Sequence, residues 1–276
     1  MRFGLKVNQH QLDWNGLLDR VRLAEDAGFD GVFIFDHLKA MDGDPSGPCM
    51  EAWTLLAALA ASTSRVRLGA LATGVMFRHP SVLAAEAVTV DRISEGRLEL
   101  AIGASSFEPE HRELGIAFPG SRERAERLEE AAEVLRLLMT RDDVRYEGRH
   151  YRLDGATYRP RPVQSPHPPI WIGAGGERLT IPIAARQADV WHAFDSIDDL
   201  PPKIAIFDEH VERAGRDPAS VRKASNLAIS DPWDELRRSS DALRELGFSY
   251  LVVPWPAEGR ARVEEFAGTV MPALAG

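Results

Sequence analysis

Asp36 and His37 directly follow the apolar run 32–35, and their side chains could move protons. Histidine exchanges protons readily near neutral pH, which suits it to general acid or base catalysis. At the end of a strand, two adjacent side chains can diverge around a ligand instead of pointing to opposite faces of a sheet. On this pattern alone, proton transfer by His37 and a purely structural role both remain open.

A second candidate lies at Thr73, Gly74 and Val75, which follow the apolar run 66–72. A glycine at the end of a strand lets the backbone approach a flat ligand where a Cβ atom would collide. The pattern also fits a tight turn into the helix that begins near Pro80. Two strand ends of this kind favour one shared site at the carboxyl ends of parallel strands.

The turn after the next predicted strand also combines small and polar residues. Gly103 and Ala104 allow close backbone approach, Ser105 and Ser106 offer hydroxyl groups, and Glu110 adds a carboxylate. The alternative is a helix-capping segment, with a serine as the cap and acidic residues complementing the helix N-terminus. The spacing leaves both interpretations open.

A glycine-rich turn that includes Ala174, Gly175 and Gly176 opens a later helix. Backbone amides at such a turn can bind an anion, and the helix dipole supports them. The turn is neither a Walker A loop nor a dinucleotide fingerprint, because the third glycine that this fingerprint requires is missing. It is a candidate phosphate site.

No metal site is predicted, because the sequence has neither an HExxH pattern nor a cluster of cysteine and histidine. Cys49 is the only cysteine, which excludes a disulfide within the chain. We interpret it as a small buried side chain without chemistry of its own.

The composition is that of a soluble globular protein, with 44% hydrophobic and 27% charged residues among 276. A formal net charge of −9 argues against nucleic acid or an anionic membrane surface as a partner. The sequence has no apolar run that could span a bilayer, and it starts with a strand instead of a signal peptide. The cytoplasm is therefore the predicted location.

Short β-rich runs alternate with amphipathic runs along the chain, which predicts repeated strand–helix units. The predicted strands are 2–7, 31–35, 66–72, 97–102, 169–172, 188–193, 221–229 and 249–253. The predicted helices are 17–27, 51–62, 81–93, 120–139, 179–186, 202–214, 232–246 and 258–274. This pattern predicts a (β/α)8 TIM barrel, with a doubly wound open sheet as the alternative.

One block interrupts this alternation. A hairpin around Gly148 and a proline-rich crossing follow the long charged helix. We interpret the block, at about residues 141–168, as an insertion over the barrel mouth. The chain is then a single domain over residues 1–276.

Several stretches, taken together, resemble the bacterial luciferase-like flavin and deazaflavin oxidoreductases. These stretches are 34–37, 51–54, 68–75, 78–80, 93–100, 160–164 and 168–173. The resemblance runs in order from the first strand to about His192 and is highly specific as a set. The subgroup that the chain most resembles depends on coenzyme F420, a 5-deazaflavin hydride carrier.

The resemblance implies roles for the candidate residues. Asp36 and His37 match a pair that faces the deazaflavin ring, with His37 as proton donor or acceptor and Asp36 orienting the ring. Thr73, Gly74 and Val75 match a bulge that supports the back of the ring. In that family the bond equivalent to Gly74–Val75 is often a non-prolyl cis peptide.

The remaining implied roles concern the other turns. Glu110 matches the usual acidic residue after the fourth strand and joins His37 and Asp36 as a predicted catalytic residue. Gly175 and Gly176 match the segment that holds the cofactor phosphate. The family usually has Gly-Trp where this chain has Ser105 and Ser106, which opens or polarises the substrate side. The predicted cofactor-binding residues are Asp36, Thr73, Gly74, Val75, Gly103, Ala104, Ala174, Gly175 and Gly176.

The deazaflavin also carries an acidic polyglutamate tail. An acidic protein can hold such a tail only with local cations at the rim of its pocket. The predicted cations are Arg78, Arg159, Arg161 and Arg178, which flank the inferred mouth.

The resemblance thus implies an F420-dependent oxidoreductase that transfers a hydride between the deazaflavin and a small organic substrate. One alternative is an FMN-dependent monooxygenase that takes reduced flavin from a partner reductase. A second is a non-catalytic flavin-binding protein, which the altered Ser105–Ser106 turn favours and His37 disfavours. A homodimer is possible in each case.

Overall fold

Parallel strands form one continuous sheet in the computed structural model, which describes residues 1–230 and 232–275. The sheet order is β3-β2-β1-β11-β10-β9-β8-β5-β4, and β6 and β7 pair separately as an antiparallel hairpin. The strands are β1 (Arg2–Lys6), β2 (Gly31–Ile34), β3 (Arg67–Ala70), β4 (Thr73–Gly74), β5 (Leu100–Gly103), β6 (Val144–Glu147), β7 (Arg152–Ala156), β8 (Ile170–Gly173), β9 (Val190–Ala193), β10 (Arg222–Asn226) and β11 (Phe248–Pro254).

The sheet closes through β3 and β4, which together form one interrupted barrel strand. β3 pairs with β2, whereas β4 pairs with β5 through Thr73 and Ile102. A parallel bridge between Leu68 and Leu98 also joins β3 to the chain just before β5. Because the two ends of the sheet are consecutive segments of chain, the sheet returns on itself. This topology confirms the predicted (β/α)8 TIM barrel and excludes the open doubly wound sheet.

Helices connect the barrel strands and cover them from outside. They are α1 (Trp14–Asp26), α2 (Ala52–Ser62), α3 (Pro80–Ile93), α4 (Glu108–Glu113), α5 (Ser121–Thr140), α6 (Thr180–Gln187), α7 (Leu200–Arg213), α8 (Trp233–Glu245), α9 (Arg260–Glu265) and α10 (Met271–Ala275). Local chemistry fixes several starts: Asp13 accepts from the amide of Gly16, and Glu51 accepts from the amides of α2. The predicted last helix is divided, because a π-helical turn separates α9 from α10.

The lower barrel interior is filled by large side chains. Phe33, Trp171 and Tyr250 meet there, with ring centroids 5.0 to 6.1 Å apart. Gly4 leaves room for them, because a Cβ atom there would lie 2.8 Å from the Tyr250 hydroxyl. Glu99 is buried beneath, where it accepts a 2.6 Å hydrogen bond from Trp171 Nε1. This end of the barrel is filled, so a ligand can enter only at the opposite end.

The predicted hairpin forms, and it packs against α5. Glu130 of α5 accepts the backbone amides of Arg149, His150 and Tyr151 at 2.8 to 3.1 Å. The proline-rich segment then returns to the filled end of the barrel, where Gln164 accepts a hydrogen bond from Arg67. The single-domain organisation with an insertion at about residues 141–168 stays a prediction.

Candidate active site

The carboxyl ends of the barrel strands surround a cavity of about 850 Å³. The turns after β2, β4, β5, β8 and β9 all contribute to its wall. The predicted site residues that line it are Asp36, His37, Gly74, Gly103, Ala104, Gly175 and Gly176. Thr73, Val75, Ala174 and Glu110 are buried around it. Turns that are far apart in the chain thus meet at one site.

The Asp36 carboxylate is fully occupied by protein groups. It accepts the Gly74 amide at 3.0 Å and both terminal nitrogens of Arg78 at 2.7 and 3.0 Å. Arg78 also lies 3.2 Å from a Glu51 oxygen and 3.3 Å from a Glu86 oxygen. Asp36 therefore fixes the backbone at Gly74, and Arg78 is held inside the protein.

The predicted cis bond at Gly74–Val75 is wrong, because the non-prolyl cis bond lies at Leu71–Ala72. Thr73 and Gly74 pair in regular register with β5, and the Val75 amide donates to the carbonyl of Gly103 at 3.1 Å. The strand is interrupted before them, where the chain leaves β2 and crosses to β5. A residue pattern cannot place this crossing, because it depends on which strand each segment pairs with.

Gly74 forms a part of the cavity wall that has no room for a side chain. A Cβ atom there would lie 2.7 Å from Ser105 Oγ and 2.9 Å from the Phe77 ring. Ser105 Oγ is buried and has no hydrogen-bond partner within residues 1–230 and 232–275. Ser105 does not cap α4, since that helix begins after Phe107 without a side-chain cap. The described protein groups therefore leave the hydrogen-bonding capacity of this hydroxyl unused.

His37 and Glu110 form a hydrogen-bonded pair, with 2.7 Å between Nδ1 and Oε2. Glu110 is fully buried, and its other oxygen accepts the amides of Leu38 and Lys39. Burial would raise the pKa of Glu110, but the bonds from His37 and these amides outweigh it and lower that pKa. Glu110 is thus a carboxylate that accepts from Nδ1–H, which leaves Nε2 of His37 for a ligand.

The ring of His37 has mainly aromatic neighbours. The Phe35 and Phe107 centroids lie 5.8 and 6.2 Å from it. His10, which follows β1, lies 6.2 Å away and stacks on Phe35 at 5.3 Å. Burial lowers the pKa of His10. The sequence prediction missed His10, although a polar residue after a barrel strand is the signal that identified Asp36 and His37.

The opposite wall carries polar and cationic groups from the starts of α5 and α6. Gly175, Arg178, Thr180 and Arg124 line the cavity there. The Gly176 amide is used within its own turn, where it donates to Thr180 Oγ1 at 3.0 Å. A bound anion would therefore meet the Gly175 backbone, the threonine hydroxyl and two guanidinium groups.

Three of the four predicted tail-binding arginines do not line this cavity. Arg78 is paired with Asp36, and Arg159 and Arg161 each lie 2.6 Å from Asp142 on the insertion. Of the predicted set, Arg178 alone lines the cavity wall within the described ranges 1–230 and 232–275. These corrections reflect distances through space, which the order of residues does not contain.

Comparison with known proteins agrees with this fold. The sequence model of the luciferase-like monooxygenase family matches residues 1–246. This chain belongs to the luciferase-like monooxygenase family. A likeness to solved structures supports the fold: an F420-dependent secondary alcohol dehydrogenase, in complex with an F420–acetone adduct, superposes with a TM-score of 0.87 at 19% identity. That alignment covers 99% of this chain and 98% of the other.

Two curated relatives of this luciferase-like chain are F420-dependent glucose-6-phosphate dehydrogenases. The one from Microbacterium testaceum is 34% identical over 254 residues, which cover 91% of this chain and 68% of the relative. The one from Nakamurella multipartita is 34% identical over 249 residues, which cover 87% and 71%.

Several residues that line this cavity were not predicted from the sequence. Arg124 belongs to the long charged helix α5, and its guanidinium lies 3.9 Å over the Phe118 ring. His111 is buried and stacks on Phe77 at 4.6 Å. Phe194 directly follows β9, so its place after a barrel strand was an available signal.

Cys49 is half-buried, so it is less buried than the sequence predicted. Its thiol donates to the His37 carbonyl at 3.3 Å, and burial raises the pKa of Cys49 to about 11. Residues 1–230 and 232–275 contain no group of histidine, cysteine and acidic side chains arranged to hold a metal ion. Over the same ranges, no helix has the length and apolar character needed to cross a membrane.

Proposed function

We propose that this protein is an F420-dependent oxidoreductase that transfers a hydride between the deazaflavin and a small organic substrate. The observation that carries the proposal is the pair of a buried Glu110 and a partly exposed His37 beside a cavity lined by backbone turns. The names of the curated relatives support F420 as the cofactor.

The residues present fit a deazaflavin. Gly74 and Gly103 offer backbone without side chains, and Ser105 Oγ supplies a buried hydroxyl without a protein partner among the described residues. Gly175, Arg178 and Thr180 fit the cofactor phosphate. When bound, the deazaflavin supplies hydride transfer at its C5 atom.

The protein supplies orientation and a proton. Glu110 holds His37 through Nδ1, so Nε2 is the atom that we propose gives a proton to the substrate oxygen or removes one from it. Asp36 accepts from the Gly74 amide and is itself held by Arg78, so the pair fixes the backbone against which a deazaflavin would bind. The pairing of Glu110 with His37 is typical of a carboxylate that orients a proton-transferring histidine.

We further propose that the substrate is a neutral alcohol or carbonyl compound with an apolar body. Among the described residues, Arg124 and Arg178 are the arginine and lysine side chains that line the cavity. A cofactor phosphate would use them, which leaves no second cation set for a phosphorylated substrate. Apolar residues that line the cavity are Phe35, Met41, Leu71, Phe107 and Phe194.

Equilibrium titration of the purified protein with F420 and with FMN tests the cofactor. We expect micromolar or tighter F420 binding, followed by fluorescence, and much weaker FMN binding. Tight FMN binding without any F420 response would favour the FMN-dependent monooxygenase and its reductase partner. F420 binding without turnover of any compound in a screen of alcohols and ketones would favour a non-catalytic binding protein.

We also propose a cytoplasmic location and a homodimer. α3 exposes Val82 and Ile93, at 51% and 42% of their surface, and a second copy of the chain could cover them. Analytical ultracentrifugation of the protein and of Val82→Asp tests this: we expect a dimer that the substitution dissociates. A monomer at all concentrations would contradict it.

A further inference from the structure

A groove of about 500 Å³ runs along the seam between α5 and α6. It shares Glu177, Arg178 and Leu179 with the active-site cavity, so the two spaces meet at the proposed phosphate end. Arg122 and Glu129 both line it. They lie seven residues apart on α5, which corresponds to about 10 Å along the helix. The groove therefore leads from the cavity rim onto the outside of the barrel.

The carboxylates along this groove are mostly paired. Glu129 lies 2.7 Å from Arg186 across the groove. Glu126 lies 2.9 Å from Arg149 and 3.1 Å from His150. These contacts offset the negative charges of the α5 wall.

The two arginines at the cavity end of the groove differ from these paired side chains. Arg122 and Arg178 are exposed, and neither has an ion pair or a side-chain hydrogen bond within residues 1–230 and 232–275. Glu177 is the remaining unpaired charge on the shared rim. The entrance to the groove thus has two unpaired guanidinium groups and one carboxylate, although the whole chain has a net charge of −9.

We infer that this groove binds the acidic polyglutamate tail of F420, with Arg122 pairing with its carboxylates and Arg178 shared between the phosphate and the start of the tail. The inference rests on the proposed function, because it assumes that F420 is the cofactor. A chain that leaves the phosphate end at Arg178 enters the groove directly, and guanidinium groups pair well with carboxylates. The negative charge of Glu177 repels the carboxylates of the tail and therefore weakens its binding.

The test compares deazaflavins that differ only in the tail. The probes are the deazaflavin with its phosphate but no glutamate, and F420 with increasing numbers of glutamates, each titrated by fluorescence at low ionic strength. We expect the dissociation constant to fall about tenfold over the first few glutamates and then to level off. The gain should shrink as salt is added, because these charges are exposed to solvent.

Substitutions then locate the tail. Arg122→Ala should weaken binding of the tailed cofactor about threefold without changing binding of the tail-free probe, since Arg122 lines the groove and not the cavity. Glu177→Gln should tighten binding of the tailed cofactor. Arg238→Ala, which removes an exposed arginine of α8 outside both spaces, is the matched control and should change neither.

The outcomes separate the two proposals. If the protein binds F420 with an affinity that does not depend on tail length, the groove is not a tail site and the proposed function stands. A tail-length effect that survives unchanged in Arg122→Ala/Arg178→Ala places the tail elsewhere and also overturns the inference. If no deazaflavin binds at all, the proposed function itself fails.

Discussion

At the scale of single residues, the two ring nitrogens of His37 have different surroundings. Nδ1 faces the buried Glu110 carboxylate at 2.7 Å, while the ring itself lines the cavity. Because a carboxylate only accepts hydrogen bonds, Glu110 selects the tautomer with its proton on Nδ1. A histidine can transfer a proton through either ring nitrogen. The contact with Glu110 occupies Nδ1 and leaves Nε2 of His37 for the transfer.

His37→Ala should lower the rate of the chemical step by roughly 10²- to 10⁴-fold, the usual span for a positioned acid or base. Cofactor affinity should change much less, because the backbone turns and the anion contacts remain. Single-turnover kinetics and fluorescence titration measure the two effects separately. An unchanged rate would leave His37 with a structural role and would shift the proton transfer to another group or to water.

Glu110→Gln should slow turnover at least tenfold and should also destabilise the fold near pH 7. The pKa of Glu110 is below the ordinary 4.5 of glutamate, so its stabilising effect is present above pH 4.5 and is lost as the pH falls further. The difference in unfolding free energy between wild type and Glu110→Gln should therefore shrink below pH 4.5. Glu113→Gln, an exposed change on the same helix, is the control.

At the scale of elements, the interrupted strand β3–β4 both closes the barrel and forms the cavity wall. Gly74 takes part in both, because it pairs with β5 and lines the cavity. Its amide is held by Asp36, and its Cα faces Ser105 and Phe77. The wall can be this thin because the pairing of β4 with β5 fixes the backbone.

Gly74→Val should weaken cofactor binding at least tenfold while the protein stays folded. The new side chain would meet Ser105 Oγ and the Phe77 ring below 3 Å, and both must shift into the cavity. Titration with F420 and thermal unfolding measure the two quantities. Gly268→Ala, where an added Cβ has nothing within 4 Å, is the control. Normal binding by Gly74→Val would show that the ring does not lie against this turn.

At the scale of the whole molecule, the barrel buries a histidine that folding keeps neutral. Burial, followed by the positive charge of Lys6, lowers the pKa of His192 from 6.5 to about 3. Between these values the unfolded chain binds a proton that the folded chain does not, so stability falls as the pH falls. His192 therefore makes the fold sensitive to mild acid.

His192→Leu should reduce this sensitivity. Between pH 8 and pH 5, the loss of unfolding free energy should be smaller by about 2 kcal/mol than in wild type, because the substituted chain gains no proton at this position. Denaturant unfolding at both pH values measures the difference. Phe194→Leu changes the ring 4.4 Å from His192 without removing a titrating group, and it should keep the wild-type pH dependence. Equal pH dependence in His192→Leu and wild type would contradict the assignment.

The sequence by itself determined the barrel and the turns that meet at its mouth. Parallel strands with helical crossovers place every carboxyl end at the same edge, so residues that follow strands, such as His37 and Gly175, must come together. The hydrophobic period and the residue composition of each segment suffice to predict this arrangement, because each strand and helix is encoded locally.

Only the tertiary structure decided which side chains pair at that edge. Glu110 reaches His37 across 73 positions, Asp36 draws Arg78 inward, and Arg124 turns from a charged helix toward the cavity. The interruption at Leu71–Ala72 likewise depends on which neighbours β3 and β4 pair with. Hydrogen bonds and ion pairs act over a few ångströms in space, and distances of that kind are set by packing and not by the order of residues.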